Sequence, residues 1–288
     1  MDHNTLLYIP LSNILKVPIL DSVSIPIEHY QFPATPNPTM SSPTIYLITG
    51  ASRGIGLSLT QSLLLRPNTI VIATMRNPTT NSLYTNPPPT SPTSTLILLP
   101  LDIQSTTSIT NAIETLKSTH NITHIDTVIS NAGYYNDATH RVDNIPLDTV
   151  QLHFDVNTLG VIRLFQGIYA MLKKSTKPVF VTVSSFLGSI GGLEEEFFPG
   201  AAYGVSKAAA NWVTRKMHVE NEGMVCFMVH PGFVKTEMGN ACAKSIGLEE
   251  AFTEPRECAE ALVKLIESAT RETVGGRFIS WRGEEVPF

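Results

Sequence analysis

A tyrosine and a lysine stand four residues apart in AAYGVSKAAA, as Tyr203 and Lys207. On a helix that spacing places both side chains on one face, one turn apart. A phenol beside an ammonium is a proton-delivery pair, because the positive charge favours phenolate and lowers the phenol's pKa from about 10 toward neutrality. Taken alone, the spacing fits a solvated helix face equally well. Other polar residues need to be weighed with it. Ser184 and Ser185 close the apolar run PVFVTVS. Successive residues at a strand end point in opposite directions, so one serine faces a cleft and the other the flanking layer. A hydroxyl facing the cleft would stabilise charge developing on a carbonyl oxygen. Asn157 interrupts a long helical pattern, where asparagine is a mediocre helix former; an exposed polar residue is the plain alternative.

These side chains need elements to hold them. From Thr44 onward, short apolar runs alternate with longer helical patterns. Strand-like runs cover 44–49, 69–74, 95–100, 125–130, 178–184, 224–230 and 277–281, and helical patterns fall near 55–66, 104–118, 147–174, 202–221 and 255–269. The strand-like runs are nearly continuous in apolar residues, as in parallel strands buried on both faces. The alternation predicts an α/β domain: a doubly wound parallel sheet of about seven strands with helices on both faces. Residues 77–94 (NPTTNSLYTNPPPTSPTS) are too proline-rich for a helix or a central strand and read as a long surface loop. Residues 1–43 are rich in Pro, Ser, Thr and Asn without a steady period. They read as a flexible or loosely attached extension, with the folded domain, 44–288, expected to begin just after Met40.

Composition narrows the function classes. Of 288 residues, 42% are apolar, ample for a buried core, and only 16% are charged, with a formal net charge of -5. A weakly acidic chain without basic blocks is a poor partner for nucleic acid or an anionic membrane surface. No apolar run approaches the roughly 20 residues needed to span a bilayer, and the N-terminus lacks the pattern of a signal peptide. Cys226, Cys242 and Cys258 are widely spaced and make neither a CxxC pair nor a disulfide framework. A cytoplasmic location is the simplest expectation. The histidines show no ligand spacing, and His230, before Pro231-Gly232, reads as structural or pocket-lining, so no metal is expected.

The first strand runs directly into TGASRGIG, with Gly50, Gly54 and Gly56. A strand that turns sharply into a helix with its backbone bare is a pyrophosphate cradle, because the helix N-terminus faces negative charge. The alternative, a glycine-rich turn without a ligand, is weakened by the strand before it and the helix after it. An acidic residue at the end of the second strand would select NAD by binding its ribose hydroxyl. This chain reads IATMRNP there, with Arg76 and no carboxylate, and carries Arg53 inside the glycine turn. Two guanidinium groups favour the 2′-phosphate of NADP(H); arginines on a solvated surface are the bland reading.

Taken in order, these segments resemble the short-chain dehydrogenase/reductase family over essentially 44–288. TGASRGIG is similar to the cofactor motif TGxxxGxG, which adds Ser52 and Ile55 to the turn. LDI resembles the element that places Asp102 and Ile103 near adenine. SNAG resembles NNAG, with Ser130 in place of the first Asn, and contributes Asn131, Ala132 and Gly133. NTLG supplies Asn157, VTVSSFLG the active-site serine, YGVSK the YxxxK pair, and HPGFVKT the PGxVxT segment with Pro231, Gly232, Val234 and Thr236. The resemblance implies a single Rossmann-fold domain. It implies Ser185 as the catalytic serine, since it directly precedes the small-residue turn, and leaves Ser184 bonded locally. It further implies that Lys207 bonds the nicotinamide ribose, that Asn157 holds a water linking Lys207 to solvent, and that 237–253 form a mobile lid. Arg163, on the same helix as Asn157, is carried as a cofactor-region candidate against a plain surface reading. Phe197 and Phe198 fit either a pocket wall or the core.

MRNP, YGVSKAA and HPGFVKTEMGN look closest to fungal ketoreductases related to norsolorinic acid ketoreductase. That likeness implies a small-molecule carbonyl substrate, a polyketide or similar secondary metabolite, reduced with NADPH and with Tyr203 as proton donor. The same residues would serve an alcohol dehydrogenase running oxidatively. A non-catalytic dinucleotide sensor is disfavoured because the Asn-Ser-Tyr-Lys set is complete. The long helices at 147–174 and 202–221 are suited to pairing in a homodimer or homotetramer.

Overall fold

A computed structural model describes residues 42–136, 140–195 and 200–288. The extension read from sequence as 1–43, apart from Ser42 and Pro43, lies outside the described residues, as do Phe197 and Phe198. Seven parallel strands form one sheet in the order β3-β2-β1-β4-β5-β6-β7. They are β1 (Thr44–Thr49), β2 (Thr69–Met75), β3 (Thr95–Pro100), β4 (Thr127–Ser130), β5 (Val179–Val183), β6 (Val225–His230) and β7 (Phe278–Ser280). The chain winds outward from β1 to β3, then returns to place β4 on the other side of β1. At that reversal the connections leave β1 and β4 in opposite directions, opening a crevice beyond their C-terminal ends.

The continuous apolar runs are explained by cover on both faces. Along β1, Ile45 and Leu47 join one core with α3 (Thr106–Ser118), α5 (Gly160–Leu172) and α6 (Ala201–Glu220). Tyr46 and Ile48, pointing the other way, join a second core with α1 (Gly54–Leu64) and α8 (Pro255–Glu267). No helix among the described residues is long and apolar enough to cross a membrane.

Two segments depart from the sequence reading. The proline-rich stretch 77–94 holds a short helix, α2 (Ser82–Thr85), in its proline-free part. Asn81 caps it by accepting from the Leu83 N–H, and Leu83 is only 2% exposed. The long helical pattern at 147–174 is α4 (Leu147–Phe154) continued through a π-helical turn, Asp155–Leu159, into α5. Such turns widen a helix locally and release side chains to other partners.

The 20-residue α6 is the element on which the tyrosine–lysine pair depends. Its last carbonyls would be orphaned without outside donors. Arg271 supplies them, its guanidinium donating to the carbonyls of His218 and Asn221, the latter at 2.9 Å. Asn221 donates to the Met217 carbonyl and accepts from the Tyr169 hydroxyl. Replacing Arg271 by alanine is expected to lower unfolding stability by about 1.5–3 kcal/mol, the usual worth of hydrogen bonds to a charged group, measured as a drop in the denaturant midpoint at unchanged slope.

Candidate active site

Beyond the C-terminal ends of the strands lies a cleft of about 760 Å³. One wall contains Gly50, Ser52, Arg53, Gly54 and Ile55 from the turn after β1, Arg76 after β2, Asp102 and Ile103 after β3, and Asn131, Ala132 and Gly133 after β4. Gly50 has φ +66°, a left-handed conformation that favours glycine, and an added Cβ would meet the Ala132 Cα at 2.9 Å. Gly56 sits beneath this wall, where a side chain would collide with the Gly50 carbonyl. The first turn of α1 carries no acidic residue and no side-chain cap, which leaves its N–H groups to an outside anion. A bare, cation-flanked helix start of this kind fits a dinucleotide pyrophosphate. No carboxylate follows β2, where Met75-Arg76-Asn77 stand. Arg53 forms an ion pair with Glu237 from the far wall; both are well exposed.

The opposite end holds Ser185, Tyr203 and Lys207. Lys207 is 4% exposed and donates from Nζ to the Val183 carbonyl at 2.8 Å. Burial pushes its pKa down to about 8. Its Nζ stands 5.6 Å from the centre of the Tyr203 ring. Tyr203 is hydrogen-bonded to Ser185, yet burial dominates and raises its phenol above the ordinary value. The lowering expected from Lys207 does not prevail, because the ammonium is engaged by Val183 and desolvation of a phenolate costs more. Tyr203 is therefore a neutral phenol, in the protonation state of a donor.

Ser185 begins a tight turn, Phe186–Gly188, by accepting from the Leu187 N–H. Ser184 is 2% exposed, and its hydroxyl has no hydrogen-bond partner among the described residues, contrary to the local bond expected for it. Its backbone N–H donates to the Val229 carbonyl, an extension of the β5–β6 pairing, and the residue lines the cleft. The turn after Ser185 is held by His230, whose Nδ1 accepts from the Phe186 N–H at 3.1 Å.

Asn157 does not line the cleft but stands directly behind it. In the π-helical turn its Oδ1 accepts from the Tyr134 N–H, and its Nδ2 donates to the Tyr134 carbonyl and the Ser206 hydroxyl. Ser206 in turn donates to the Tyr203 carbonyl. A Cβ on Gly133 would lie 3.3 Å from Asn157 Oδ1 and 3.6 Å from Lys207 Nζ, so the two flank the same glycine. Arg163 is not brought to the cleft: its guanidinium pairs with the Asp155 carboxylate at 2.6 Å. An acid eight residues before it on the widened helix captures it first.

The far wall is Pro231, Gly232, Val234 and Thr236 after β6, then α7 (Glu237–Ser245), the ordered first half of the expected lid. Thr236 caps α7 by accepting from the Gly239 N–H. Sequence reasoning missed Asn81, Tyr134, Tyr135, Phe233, Met238 and Cys242, all of which line the cleft. Asn81 reaches it by donating to the Ser52 carbonyl from within the proline-rich stretch. The doubled tyrosine directly after SNAG was a readable signal, since that segment leaves β4 at the crevice.

Residues 44–246 match the family model for short chain dehydrogenases. The chain belongs to the short chain dehydrogenase family. It is 38% identical over 242 residues to norsolorinic acid ketoreductase nor1 of Dothistroma septosporum, covering 83% of this chain and 90% of that one. It is 39% identical over 254 residues to short chain dehydrogenase gsfK of Penicillium aethiopicum, covering 85% and 99%. Among solved structures, NADPH-bound carbonyl reductase from chicken fatty liver superposes with TM-score 0.73 at 27% identity, covering 86% of this chain and all of the other. The protein is thus an oxidoreductase of this family, with ketoreductases and carbonyl reductases among its relatives.

His230 is expected to make the stability of this short chain dehydrogenase pH-dependent. Burial pushes the imidazole from 6.5 down to about 4. Between those values the unfolded chain binds the extra proton, so the contribution is fully present above about 6.5 and lost as pH falls toward 4. The loss is on the order of 3 kcal/mol. His230→Gln, which keeps an acceptor but does not titrate, is expected to flatten the melting temperature across that window relative to wild type.

Proposed function

We propose that the protein is an NADPH-dependent ketoreductase that reduces a carbonyl of a polyketide or related secondary metabolite. The observation that carries this reading is the half-buried, neutral Tyr203 phenol, bonded to Ser185 and beside Lys207, at one end of a cleft whose other end is a glycine cradle flanked by Arg53 and Arg76. The named ketoreductases among its relatives support the substrate class.

In this reading the turn from Gly50 to Gly56 and the start of α1 hold the pyrophosphate, Asp102 and Ile103 border the adenine, and Arg53 and Arg76 receive the 2′-phosphate. The exposed pair between Arg53 and Glu237 is weak enough to yield to a phosphate dianion. Asn131 to Gly133, Lys207 and the segment Pro231 to Thr236 border the nicotinamide end. The bound dinucleotide supplies the hydride. Ser185 donates a hydrogen bond to the substrate carbonyl oxygen, and Tyr203 donates the proton that turns this oxygen into a hydroxyl. The Lys207 ammonium stabilises the resulting phenolate, and Asn157, across Gly133, stands where protons return from solvent. Oxidation of an alcohol would use the same residues in reverse, with Tyr203 accepting the proton.

A cytoplasmic homodimer or homotetramer completes the proposal. Val205, Trp212 and Val219 form an exposed row at seven-residue spacing along α6, suited to pairing with a second copy.

With an aromatic ketone and NADPH, Tyr203→Phe is expected to lower kcat by about 100-fold or more, the usual worth of a positioned general acid. Wild-type reduction is expected to decline as pH rises through about 8, where Lys207 loses its proton. Undiminished turnover by Tyr203→Phe would remove the proton-donor assignment. NADPH is expected to exceed NADH in kcat/KM by about tenfold or more, and Arg76→Asp to narrow that gap; equal values in the wild type would remove the argument from the two arginines.

A further inference from the structure

The Ser185, Tyr203 and Lys207 group leaves unexplained how the substrate end of the cleft is shaped. Tyr135 stands there, and its surroundings are not those of a loop tyrosine. The segment carrying it is fastened on both sides. The Asn157 carboxamide binds both backbone groups of Tyr134. On the other side the Asn136 N–H donates to His153 Nε2 at 3.2 Å, while His153 Nδ1 pairs with the Thr149 carbonyl at 2.8 Å. A carbonyl can only accept, so Nδ1 carries the proton and Nε2 is the acceptor, a single neutral tautomer. The His153 ring is fully buried.

From this anchored segment the Tyr135 side chain reaches two elements of the site. Its ring meets the Tyr203 ring edge-on, with centroids 5.0 Å apart and planes at 84°. Its hydroxyl donates to Cys242 Sγ at 3.4 Å. Cys242 belongs to α7 and is 8% exposed. One side chain thus touches both the proton donor and the helix that covers the substrate. Leu187, Phe233 and Met238 add apolar side chains to the lining. Aromatic faces and edges favour a flat π-system over a saturated ring of the same size, because only the flat one meets them in edge-to-face or offset contact.

Resting on the ketoreductase reading, we infer that Tyr135 is a positioning residue for Tyr203 and the specificity-determining residue of the substrate slot. Its ring packs Tyr203 in place for proton donation, and its bond to Cys242 fixes the height of α7, so that the slot takes planar aryl ketones in preference to puckered saturated ketones.

The test compares α-tetralone with α-decalone, which share a bicyclic carbon skeleton but differ in planarity, using the full chain and NADPH. Wild type is expected to favour α-tetralone in kcat/KM by about tenfold, the scale of one aromatic contact. Tyr135→Leu is expected to bring the two ketones to similar kcat/KM, chiefly through a raised KM for α-tetralone, and to lower kcat for both. Tyr135→Phe keeps the ring and is expected to keep the preference. A second arm needs no turnover: alkylation of Cys242 by iodoacetamide, located by mass spectrometry, is expected to be several-fold faster in Tyr135→Phe than in wild type. Cys226 and Cys258, both fully buried, report any general loosening of the fold. Retention of the preference and of the wild-type KM in Tyr135→Leu overturns the specificity role. An unchanged alkylation rate in Tyr135→Phe overturns the tie to α7. A wild type that reduces neither ketone overturns the ketoreductase reading and the slot with it, whereas reduction of both without preference overturns the slot alone.

Discussion

A lysine side chain sealed at the junction of β5 and α6 must find an acceptor, and Lys207 finds one in the Val183 carbonyl, at the end of β5 where the ladder no longer uses it. That bond sets the rotation of α6 against the sheet, and with it the direction of Tyr203 one turn earlier. The close approach it requires is paid for in side-chain size. A Cβ on Gly188 would lie 2.7 Å from Lys207 Cβ, and a Cβ on Gly204 would lie 2.8 Å from the Leu187 carbonyl oxygen. The small residues around Tyr203 therefore let the turn after Ser185 lie flat on α6, which brings the serine to the tyrosine.

The second constraint is the polar seam behind the cleft. Asn157 in its π-helical turn, Ser206 and the Tyr203 carbonyl form a chain of hydrogen bonds between the α4–α5 helix and α6. Thr158 adds a bond from its hydroxyl to the Ser206 carbonyl. Each group is buried and satisfied, so the seam specifies one docking geometry where apolar packing alone would allow sliding. The same asparagine fastens the segment after β4, which makes the helix register, the glycine-turn wall and the aromatics around Tyr203 parts of one assembly.

Electrostatics then separates the two ends. The cradle end leaves helix N–H groups and two arginines facing the cleft, a setting for anions. At the Tyr203 end, burial raises the phenol and lowers Lys207, which moves the two groups apart in proton affinity and keeps the phenol protonated. A neutral phenol beside an ammonium that titrates near 8 suits proton donation to an oxygen gaining negative charge.

Much of this was legible in the chain itself. Alternating apolar runs and helical patterns determined the doubly wound parallel sheet, since burial on both faces leaves no other periodicity for a strand such as Val179–Val183. TGASRGIG, SNAG, Ser185 and YGVSK marked the cleft because each is a local solution to a local problem: a tight turn, a strand end, a helix face. Long-range competition for partners was not legible. Arg163 went to Asp155, Arg53 met Glu237 across 184 residues, and Asn81 folded back from a proline-rich stretch onto Ser52. The phenol pKa also went against the local reading, because spacing reveals a neighbouring charge but only packing reveals desolvation. The sequence by itself determined which groups the protein owns and the layers that carry them; the tertiary structure decided which partner each group keeps, because hydrogen bonds and burial depend on distances in space that no spacing along the chain encodes.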